Sequence, residues 1–384
     1  MKLICLQENL AKGLSIVSRV VAPRTAALPV LTHVLLASDN GRLKIAATNL
    51  ELGITCWVGA KVEREGAITL PARALSELVA LLPQEKVDLE LNVRTQSLSV
   101  RSGKTNDLIK GIDAQEFPII PTFNENAAAY IAPDELRRLI GHVVFCAASD
   151  ESSPMLTGVL TQIEDETITM VASDRFRLSV KRATLASPGY GSATPQGQAI
   201  RMLIPAKALI EVARALGEQT DPVAICVSAS HGQVLFHLNS VDIVAQLIDH
   251  KFIDYEQIIP RSHITRAVVN TADLLRACRR ASIYARDVND RMQLQLKPSD
   301  DVDPGTIAVS AHAEETGDNL SDIEASVSGE RVDIGFNARY LIDVLAAVDA
   351  PQIVIETASS RSAAVFKLVG DDSFLHIIMP LNRV

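Results

Sequence analysis

The stretch Leu70-Pro71-Ala72-Arg73-Ala74-Leu75 decides the organisation of this chain, because it occurs three times. Its copies read Ile204-Pro205-Ala206-Lys207-Ala208-Leu209 and Phe336-Asn337-Ala338-Arg339-Tyr340-Leu341, at intervals of 134 and 132 residues. Repeats of about 20 to 50 residues are typical of solenoids and propellers, whereas an interval of this size equals a whole domain. The 384-residue chain is therefore predicted to contain three copies of one domain.

Each copy also carries a second helical signal, at residues 7–14, 133–140 and 271–276. Residues between the helices alternate between apolar and polar types with period two, as at 87–91 and 97–100, which indicates half-buried strands. Each copy thus reads strand, helix, strands, helix, strands, without βαβ alternation. The predicted fold class is α+β with antiparallel sheet, in domains 1–124, 125–253 and 254–384.

Composition limits the kind of protein that this chain can be. Hydrophobic residues make up 47% of the chain but aromatic residues only 4%, so the cores must be built from aliphatic side chains. The five cysteines are scattered and contain no CxxC pair, which argues against a disulfide framework and fits a reducing cytoplasm. No apolar run approaches the length of about 18 residues that a membrane span needs. We predict a cytoplasmic protein that does not enter membranes.

Charge is distributed unevenly between the helices and the rest of the chain. The six predicted helices contain twelve Lys and Arg against seven Asp and Glu, a net charge of +5, when they are taken over residues 7–22, 71–82, 133–148, 205–217, 271–286 and 337–348. The whole chain carries −9, so the remainder carries −14. Solvated helix faces are the simple explanation. If the six helices gathered on one surface, they would instead form a positive wall within a negative shell, and such a wall favours a nucleic-acid partner.

The sequence offers no convincing catalytic or metal site. It lacks the GxxxxGK[ST] phosphate loop, and Gly189-Tyr190-Gly191-Ser192-Ala193 lacks the strand–turn–helix context of a nucleophile elbow. His142 and Cys146 could share one helix face, but no third or fourth metal ligand accompanies them. Ser173 and Asp174 have no neighbouring histidine. We therefore predict no catalytic residue, no metal and no cofactor.

One segment differs from its counterpart in another repeat. Ala172-Ser173-Asp174-Arg175-Phe176-Arg177-Leu178 carries two arginines and a phenylalanine, where the first repeat reads Ala47-Thr48-Asn49-Leu50-Glu51-Leu52. An ordinary turn with solvated arginines is one explanation. A specific function introduced into a single repeat is the other.

Several motifs, in this order and spacing, resemble those of a known family along the whole chain. The chain resembles the bacterial sliding clamps, the β subunits of DNA polymerase III. The motifs that carry the resemblance include Leu28-Pro29-Val30-Leu31, Leu70-Pro71-Ala72-Arg73, Glu116-Phe117-Pro118, Met155-Leu156-Thr157-Gly158, Asp254-Tyr255, Gly335-Phe336-Asn337, Met379-Pro380 and the two turn segments quoted above.

The resemblance implies a DNA-clamp fold and a non-catalytic function as a processivity factor. Two three-domain chains would close head to tail into a ring, with antiparallel sheets outside and paired helices lining the hole. The ring would encircle duplex DNA without reading its sequence and tether the replicative polymerase. The first domain of one chain would meet the third domain of the other, near residues 104–109 and Ile283-Tyr284. The implied DNA-binding residues are Lys12, Arg24, Arg73, Arg137, Arg138, Lys207, Arg214, Arg276, Arg279 and Arg280.

The resemblance also implies a cleft that binds short linear peptides. Its partners would be the DNA polymerase III α subunit, the clamp loader, other polymerases and repair proteins. The implied cleft residues are Leu156, Thr157, Ser173, Arg175, Phe176, Arg177, Leu178, Ile253, Ile258, Met379, Pro380 and Leu381.

Three positions depart from the family pattern, and two alternative functions remain. Ser153 stands where relatives commonly carry arginine, Gln257 replaces a basic residue, and the end after Pro380 is one residue longer. The chain could be a divergent clamp paralogue with reduced partner binding. It could also be a ligand-binding enzyme of repeated domains, which would require a cluster of catalytic acids or metal ligands that the sequence does not show.

Overall fold

A computed structural model describes residues 1–23, 25–122, 128–150, 152–187, 199–228, 232–286, 289–299 and 304–381. Arg24, the segment 189–193, His231 and residues 382–384 lie outside the described residues. Among the described residues, no helix is long and apolar enough to cross a membrane.

The helices occur where the repeated signals predict them, two in each repeat. Their bounds are α1 Gln7–Val17, α2 Ala72–Leu81, α3 Pro133–Val143, α4 Ala206–Ala215, α5 Thr271–Ala285 and α6 Ala338–Ala347. Asparagine side chains cap the first turns of both helices in the third repeat. Asn270 accepts a hydrogen bond from the backbone N–H of Asp273, and Asn337 accepts one from that of Arg339. These caps satisfy N–H groups that a helix start leaves without a partner.

Every strand pairing in the described residues is antiparallel, as the α+β prediction requires. The strands of the first and second repeats are β1 Lys2–Leu6, β2 His33–Asp39, β3 Arg42–Thr48, β4 Leu52–Arg64, β5 Ala67–Pro71, β6 Lys86–Asn92, β7 Ser97–Ser102, β8 Thr105–Lys110, β9 Ala128–Ile131, β10 Gly158–Glu164, β11 Thr167–Ser173, β12 Arg177–Thr184, β13 Ile200–Pro205, β14 Val223–Val227, β15 Gln233–His237 and β16 Val241–Gln246. Those of the third repeat are β17 Thr265–Asn270, β18 Arg291–Lys297, β19 Thr306–Ala313, β20 Gly317–Gly329, β21 Val332–Asn337, β22 Gln352–Thr357, β23 Ala364–Leu368 and β24 Asp371–Ile378.

The three repeats form two compact units, because some strands of the second repeat belong to the first unit and the others belong to the second unit. The first unit is built mainly from Met1–Pro133 and Ile210–Leu247. Its twelve-stranded sheet runs β8-β7-β6-β1-β4-β16-β15-β14-β9, with β3, β2 and β5 following one another from β4. The pairing of β4 with β16 therefore makes one sheet out of strands from two repeats.

The second unit is built mainly from Asp134–Thr184 and Ile248–Val384. Its twelve-stranded sheet runs β13-β10-β11-β12-β24-β23-β22-β17-β20-β19-β18-β21. Here β12 of the second repeat pairs with β24 of the third, between Arg177–Ile378 and Lys181–Phe374. The domain limits predicted from the sequence stay predictions.

The cores are mainly aliphatic, in keeping with the composition. In the first unit, α1 lies so close to the sheet that a Cβ at Gly13 would be 2.8 Å from the Cδ1 of Ile45 and 3.0 Å from a methyl of Val58. In the second unit, Phe336 and Phe366 meet edge to face in the core beneath α5 and α6, with ring centroids 6.2 Å apart. Apolar side chains stabilise such cores in proportion to the apolar surface area that folding removes from water.

All five cysteines are buried and none forms a disulfide. Burial raises the pKa of Cys5 to about 12, of Cys56 to about 11 and of Cys278 to about 12. These thiols are therefore protonated and behave as small apolar side chains.

Candidate functional site

The divergent segment of the second repeat forms a tight turn between β11 and β12. Ser173 Oγ donates a hydrogen bond to the carbonyl oxygen of Arg177 at 2.8 Å. Asp174 Oδ1 accepts hydrogen bonds from the backbone N–H groups of Phe176 and Arg177, both at 3.0 Å. Arg175 has a φ of +81°, a conformation that L-residues adopt at some cost. The turn thus directs Arg175 and Phe176 outward.

The first repeat builds the same backbone turn with different exposed side chains. Thr48 Oγ1 donates to the carbonyl of Leu52 at 3.0 Å, and Asn49 Oδ1 accepts from the N–H groups of Glu51 and Leu52 at 3.1 and 2.8 Å. Leu50 has a φ of +78°. The polar residues at the first two positions therefore serve the backbone in both repeats. Ser173 and Asp174 are turn-forming residues and not a catalytic pair.

A buried apolar cluster lies beside the second-repeat turn. Its buried members include the predicted cleft residues Leu156 and Leu178, and Ile253 packs against it. Three other predicted cleft residues are exposed, with Phe176 at 57%, Ile258 at 44% and Met379 at 43%. Single exposed apolar residues are common, whereas several that lie together form a candidate surface for binding another molecule.

The chain segment after β24 is attached to the turn by its backbone. The N–H of Met379 donates a hydrogen bond to the carbonyl of Phe176 at 2.8 Å, and the N–H of Leu381 donates one to Gly335 at 2.8 Å. Pro380, between them, has no N–H to donate. The structure thus brings residues 175–178 and 379–381 together, although about 200 positions separate them in the chain.

The remaining predicted cleft residues have mainly structural contacts. Thr157 Oγ1 donates to the carbonyl of Pro154 at 2.8 Å, at the end of a single turn of 3-10 helix. Arg177 is only 9% exposed, and its guanidinium is bonded within the protein. It donates to Asp174 Oδ2 at 2.9 Å, to Asp343 Oδ2 at 2.6 Å and to the carbonyl of Phe145 at 2.6 Å.

The sequence analysis missed two residues of α6 that shape this region. Asp343 accepts the hydrogen bond from Arg177, and the Tyr340 ring lies 4.4 Å from the guanidinium carbon of the same arginine. Tyr340 occupies the position held by Ala74 and Ala208 in the other copies of the repeated stretch. An aromatic residue in place of alanine was the signal in the sequence that could have identified Tyr340.

Ser153, where the family pattern is broken, contacts the turn directly. The Arg175 guanidinium donates a hydrogen bond to Ser153 Oγ. Arg175 itself is exposed, and it makes no ion pair with any described residue. A positive group therefore stands at this rim although position 153 does not supply it.

The helices of the first unit present part of the predicted DNA-binding set. Lys12 on α1 is exposed and makes no ion pair with a described residue. Arg73 is paired with Glu77 of its own helix at 2.6 Å. Arg214 is paired with Glu211, also at 2.6 Å. The charge of these arginines is therefore partly neutralised by helix neighbours, which a simple charge count does not reveal.

The helices of the second unit show the same pattern of local pairing. Arg137, Arg138 and Arg276 are each paired with a carboxylate three positions earlier, namely Asp134, Glu135 and Asp273. Arg279 and Arg280 on α5 are exposed and make no ion pair with a described residue. Lys207 on α4 is also exposed. Arg279 and Arg280 thus carry the strongest uncompensated charge on α5.

His142 and Cys146 are packed in a core and do not form a metal site. The His142 ring lies edge-on to Phe374, with centroids 5.0 Å apart. Cys146 Sγ lies 3.6 Å from Nδ1 of His376. Burial lowers the pKa of His142 to about 4 and that of His376 to about 3. Among the described residues, no three His, Cys, Asp or Glu side chains form a group that could hold a metal ion.

Comparison with protein families matches the chain over nearly its whole length. Three family models match in succession: the DNA polymerase III beta subunit N-terminal domain at residues 1–121, its central domain at 130–254 and its C-terminal domain at 256–382.

Individual relatives give the same result. The beta sliding clamp of Synechococcus elongatus is 33% identical over 385 residues, which cover all of this chain and 99% of the relative. The solved sliding clamp of Bacillus subtilis is 27% identical with a TM-score of 0.91, and all of both chains is covered. A sliding clamp from Pseudomonas aeruginosa, solved bound to griselimycin, is 27% identical with a TM-score of 0.89, again over all of both chains.

Proposed function

The chain belongs to the family of bacterial DNA polymerase III β subunits, the sliding clamps, and on that premise we propose that two copies close into a ring around duplex DNA. Its role in DNA replication is that of a sliding clamp, a processivity factor without catalytic activity. The ring would hold the replicative polymerase on DNA by linkage more than by affinity. The observation that carries the partner site is the buried apolar cluster of the second unit, together with the exposed Phe176 and Met379, which a backbone hydrogen bond joins.

The helices supply charge that suits contact with DNA phosphates. Lys12, Arg279 and Arg280 are exposed and unpaired among the described residues, and Lys207 is exposed as well. Phosphate contacts of this kind hold DNA without reading its sequence, and they weaken with salt. Arginines paired with a helix neighbour can exchange that carboxylate for a phosphate, but they gain less by doing so. Arg24, which the resemblance implies as a DNA contact, stays a prediction.

Retention on DNA of different topology tests the ring. We expect the protein, loaded by its clamp loader, to stay on closed circular DNA and to leave linear DNA with free ends. Blocking the ends of the linear DNA with bound protein should restore retention. Equal retention on circular and open linear DNA would contradict the topological tether, whatever the affinity.

The proposed ring also requires an interface between two copies. The edge strand β8 exposes Leu108 to 67%, and Ile283 on α5 is 57% exposed. An edge strand leaves backbone N–H and C=O groups free to pair with another chain. Cyclic dimers are the commonest closed assemblies of identical chains. These residues are therefore candidates for the contact between first and third repeats of different copies.

The cleft of the second unit is proposed to bind linear peptides of polymerases, the clamp loader and repair proteins. Leu156 and Leu178 would form its buried floor, while Phe176, Ile258 and Met379 would close over apolar peptide side chains. A groove lined by apolar groups with a few polar ones at the rim is the usual architecture of such a site.

Removing the segment after β24 tests this cleft. A chain that ends at Ile378 keeps β24 and its pairing with β12, but it loses Met379, Pro380 and Leu381. We expect calorimetry to show no binding of a peptide from the C-terminal tail of the DNA polymerase III α subunit. The shortened chain should keep its dimer mass and its unfolding midpoint within a small margin. Unchanged peptide affinity in a folded dimer would place the site elsewhere.

A further inference from the structure

We propose that Arg175 makes the cleft selective for peptides that carry a carboxylate, and that Ser153 holds its guanidinium in place for that contact. This inference rests on the proposed peptide cleft of the second unit. It assigns a different role to each of the two cleft arginines and names the chemistry of the partner.

The positive charge of Arg177 is already balanced by carboxylates of the protein and is not available to a ligand. Its guanidinium is bonded to the carboxylates of both Asp174 and Asp343 and to the carbonyl of Phe145. With its side chain 9% exposed and the Tyr340 ring 4.4 Å from its guanidinium carbon, the group is covered as well as neutralised. A peptide carboxylate that approached Arg177 would have to displace a carboxylate already held there. Arg177 therefore acts as a positioning residue for the turn.

Arg175 has the opposite environment. Its side chain is exposed, and no carboxylate of a described residue forms an ion pair with it. Asp150 lies close enough for its charge to interact with Arg175, and its carboxylate accepts hydrogen bonds from the Ser152 hydroxyl at 2.6 Å and the Ser152 N–H at 2.9 Å. Asp150 therefore offsets part of the Arg175 charge without forming an ion pair. Among the described residues, Arg175 is thus the exposed positive group of the turn that no ion pair neutralises.

The backbone fixes where this charge stands. The φ of +81° at Arg175 is maintained by the hydrogen bonds that Ser173 and Asp174 make around the turn, so the side chain leaves the backbone in a set direction. Ser153 Oγ then accepts one hydrogen bond from the guanidinium. An arginine has five N–H donors, so the others stay available to a ligand. A guanidinium held by one neutral acceptor is prepared for a carboxylate without being neutralised.

The charge stands next to the exposed apolar rim. Phe176 follows Arg175 directly, and its carbonyl accepts the hydrogen bond from Met379. A peptide whose apolar side chains lie against Phe176 and Met379 would therefore pass close to the Arg175 guanidinium. Arginine binds carboxylates with two parallel hydrogen bonds, which favours an acidic side chain over an amide of the same shape. At a rim exposed to solvent, we expect a preference of roughly three- to tenfold.

Selection from a random hexapeptide display library tests the inference without assuming a motif. The full-length dimer and its Arg175→Gln variant are the two targets. We expect the wild-type protein to enrich apolar residues together with Asp or Glu at one fixed position. The variant should enrich the apolar residues alone. Arg182→Gln removes a charge from an exposed arginine five residues beyond Arg177 in β12, about 17 Å away, and serves as the matched control.

A matched peptide pair then gives the magnitude. The most enriched acidic peptide and its amide counterpart, with Asn for Asp or Gln for Glu, are measured by calorimetry. The wild type and Arg182→Gln should favour the acidic peptide, and the difference should shrink at high salt. Arg175→Gln should bind both peptides equally, and Ser153→Ala should retain only part of the preference.

The outcomes separate this inference from the proposed cleft. If apolar residues are enriched without an acid, or if Arg175→Gln keeps the acidic preference, the role of Arg175 is wrong while the cleft stands. If the selected peptides bind equally well to a chain that ends at Ile378, the cleft itself is misplaced. A library that yields no peptide at all overturns both.

Discussion

Arg177 Nη1 and Asp343 Oδ2 are joined by a hydrogen bond of 2.6 Å, although the two residues lie 166 positions apart in the chain. The bond connects the turn at the proposed peptide cleft to α6, one of the helices proposed to face DNA. Through Phe145 the same guanidinium also holds the short 3-10 turn that follows α3. One side chain therefore bonds the turn at the proposed cleft to both of these elements.

Loss of this link should cost considerable stability. Arg177→Ala leaves two carboxylates and a carbonyl without their donor, so we expect the free energy of unfolding to fall by about 2–4 kcal/mol. Asp343→Asn should cost less, about 1 kcal/mol, because Asp343 is 41% exposed and can be solvated. Urea unfolding of both single variants and the double variant measures the coupling. Strictly additive losses would show that the bond contributes nothing.

Two buried histidines predict a loss of stability in mild acid. Burial lowers the pKa of His142 to about 4 and that of His376 to about 3, from an ordinary value of 6.5. Above pH 6.5 both states are neutral and the full stability is present. As the pH falls below 6.5, the unfolded chain takes up protons that the folded chain refuses, so stability declines by at most about 1.4 kcal/mol per pH unit for each histidine.

The variant His376→Phe checks this origin of the acid effect. Between pH 6.5 and about 5 the unfolding free energy of the variant should fall less steeply than that of the wild type, because most unfolded carboxylates titrate at lower pH. His312 is exposed, and a hydrogen bond and the charge of Asp318 raise its pKa, so it adds stability as the pH falls and the comparison variant His312→Phe should show a steeper decline instead of a shallower one. Identical slopes for the wild type and His376→Phe would contradict the prediction.

Salt dependence should distinguish paired from unpaired arginines on α5. Replacing Arg279 and Arg280 with Ala should reduce the slope of log affinity against log salt by up to about 2 for each chain of the ring that contacts the duplex, since each lost phosphate contact removes about 0.9. Arg276→Ala should have a smaller effect, because Asp273 already neutralises part of that charge. Fluorescence binding to a short duplex over a salt series gives the slopes. A larger effect at Arg276 than at Arg279 and Arg280 would contradict the prediction.

The dimer interface is tested by a charge placed on β8 or α5. Leu108→Asp and Ile283→Asp should each shift the protein from dimer to monomer in analytical ultracentrifugation, since a carboxylate buried in an apolar interface is costly. Leu320→Asp is the control, because Leu320 on β20 is 68% exposed, as Leu108 is at 67%, and lies outside the proposed interface. If Leu320→Asp dissociates the dimer and Leu108→Asp does not, the proposed interface is wrong.

Most of the fold could be predicted from the sequence, because the same helix signals occur in three repeats. A helix signal that occurs three times with the same spacing is far more informative than a single one, and all six helices begin within a residue of the predicted stretch. The antiparallel pairing follows from the absence of βαβ alternation. The joining of β4 with β16 and of β12 with β24 was not predictable, because the edge that a strand pairs with depends on long-range packing that period-two alternation does not encode.

The candidate site was only partly visible in the sequence. Residues 173–177 stand out because they differ from 48–52, and the structure shows that the polar residues at the first two positions build the turn while Arg175 and Phe176 face outward. The burial of Arg177 was hidden, since its partner Asp343 is remote in sequence. The pairing of arginines within helices was visible in principle, because acids three positions earlier are neighbours on a helix surface. A count of charges discards that spacing.

The pairing of β4 with β16 has a consequence for the connection between the first two repeats. The peptide bonds of residues 123–127 are one link between them, and the five paired positions from Leu52 to Cys56 are another. A chain expressed as two separate pieces, 1–122 and 128–384, should therefore reassemble and purify as one particle. A fluorescent protein or an affinity tag could then be fused to the new terminus at residue 128 instead of to either end of the whole chain.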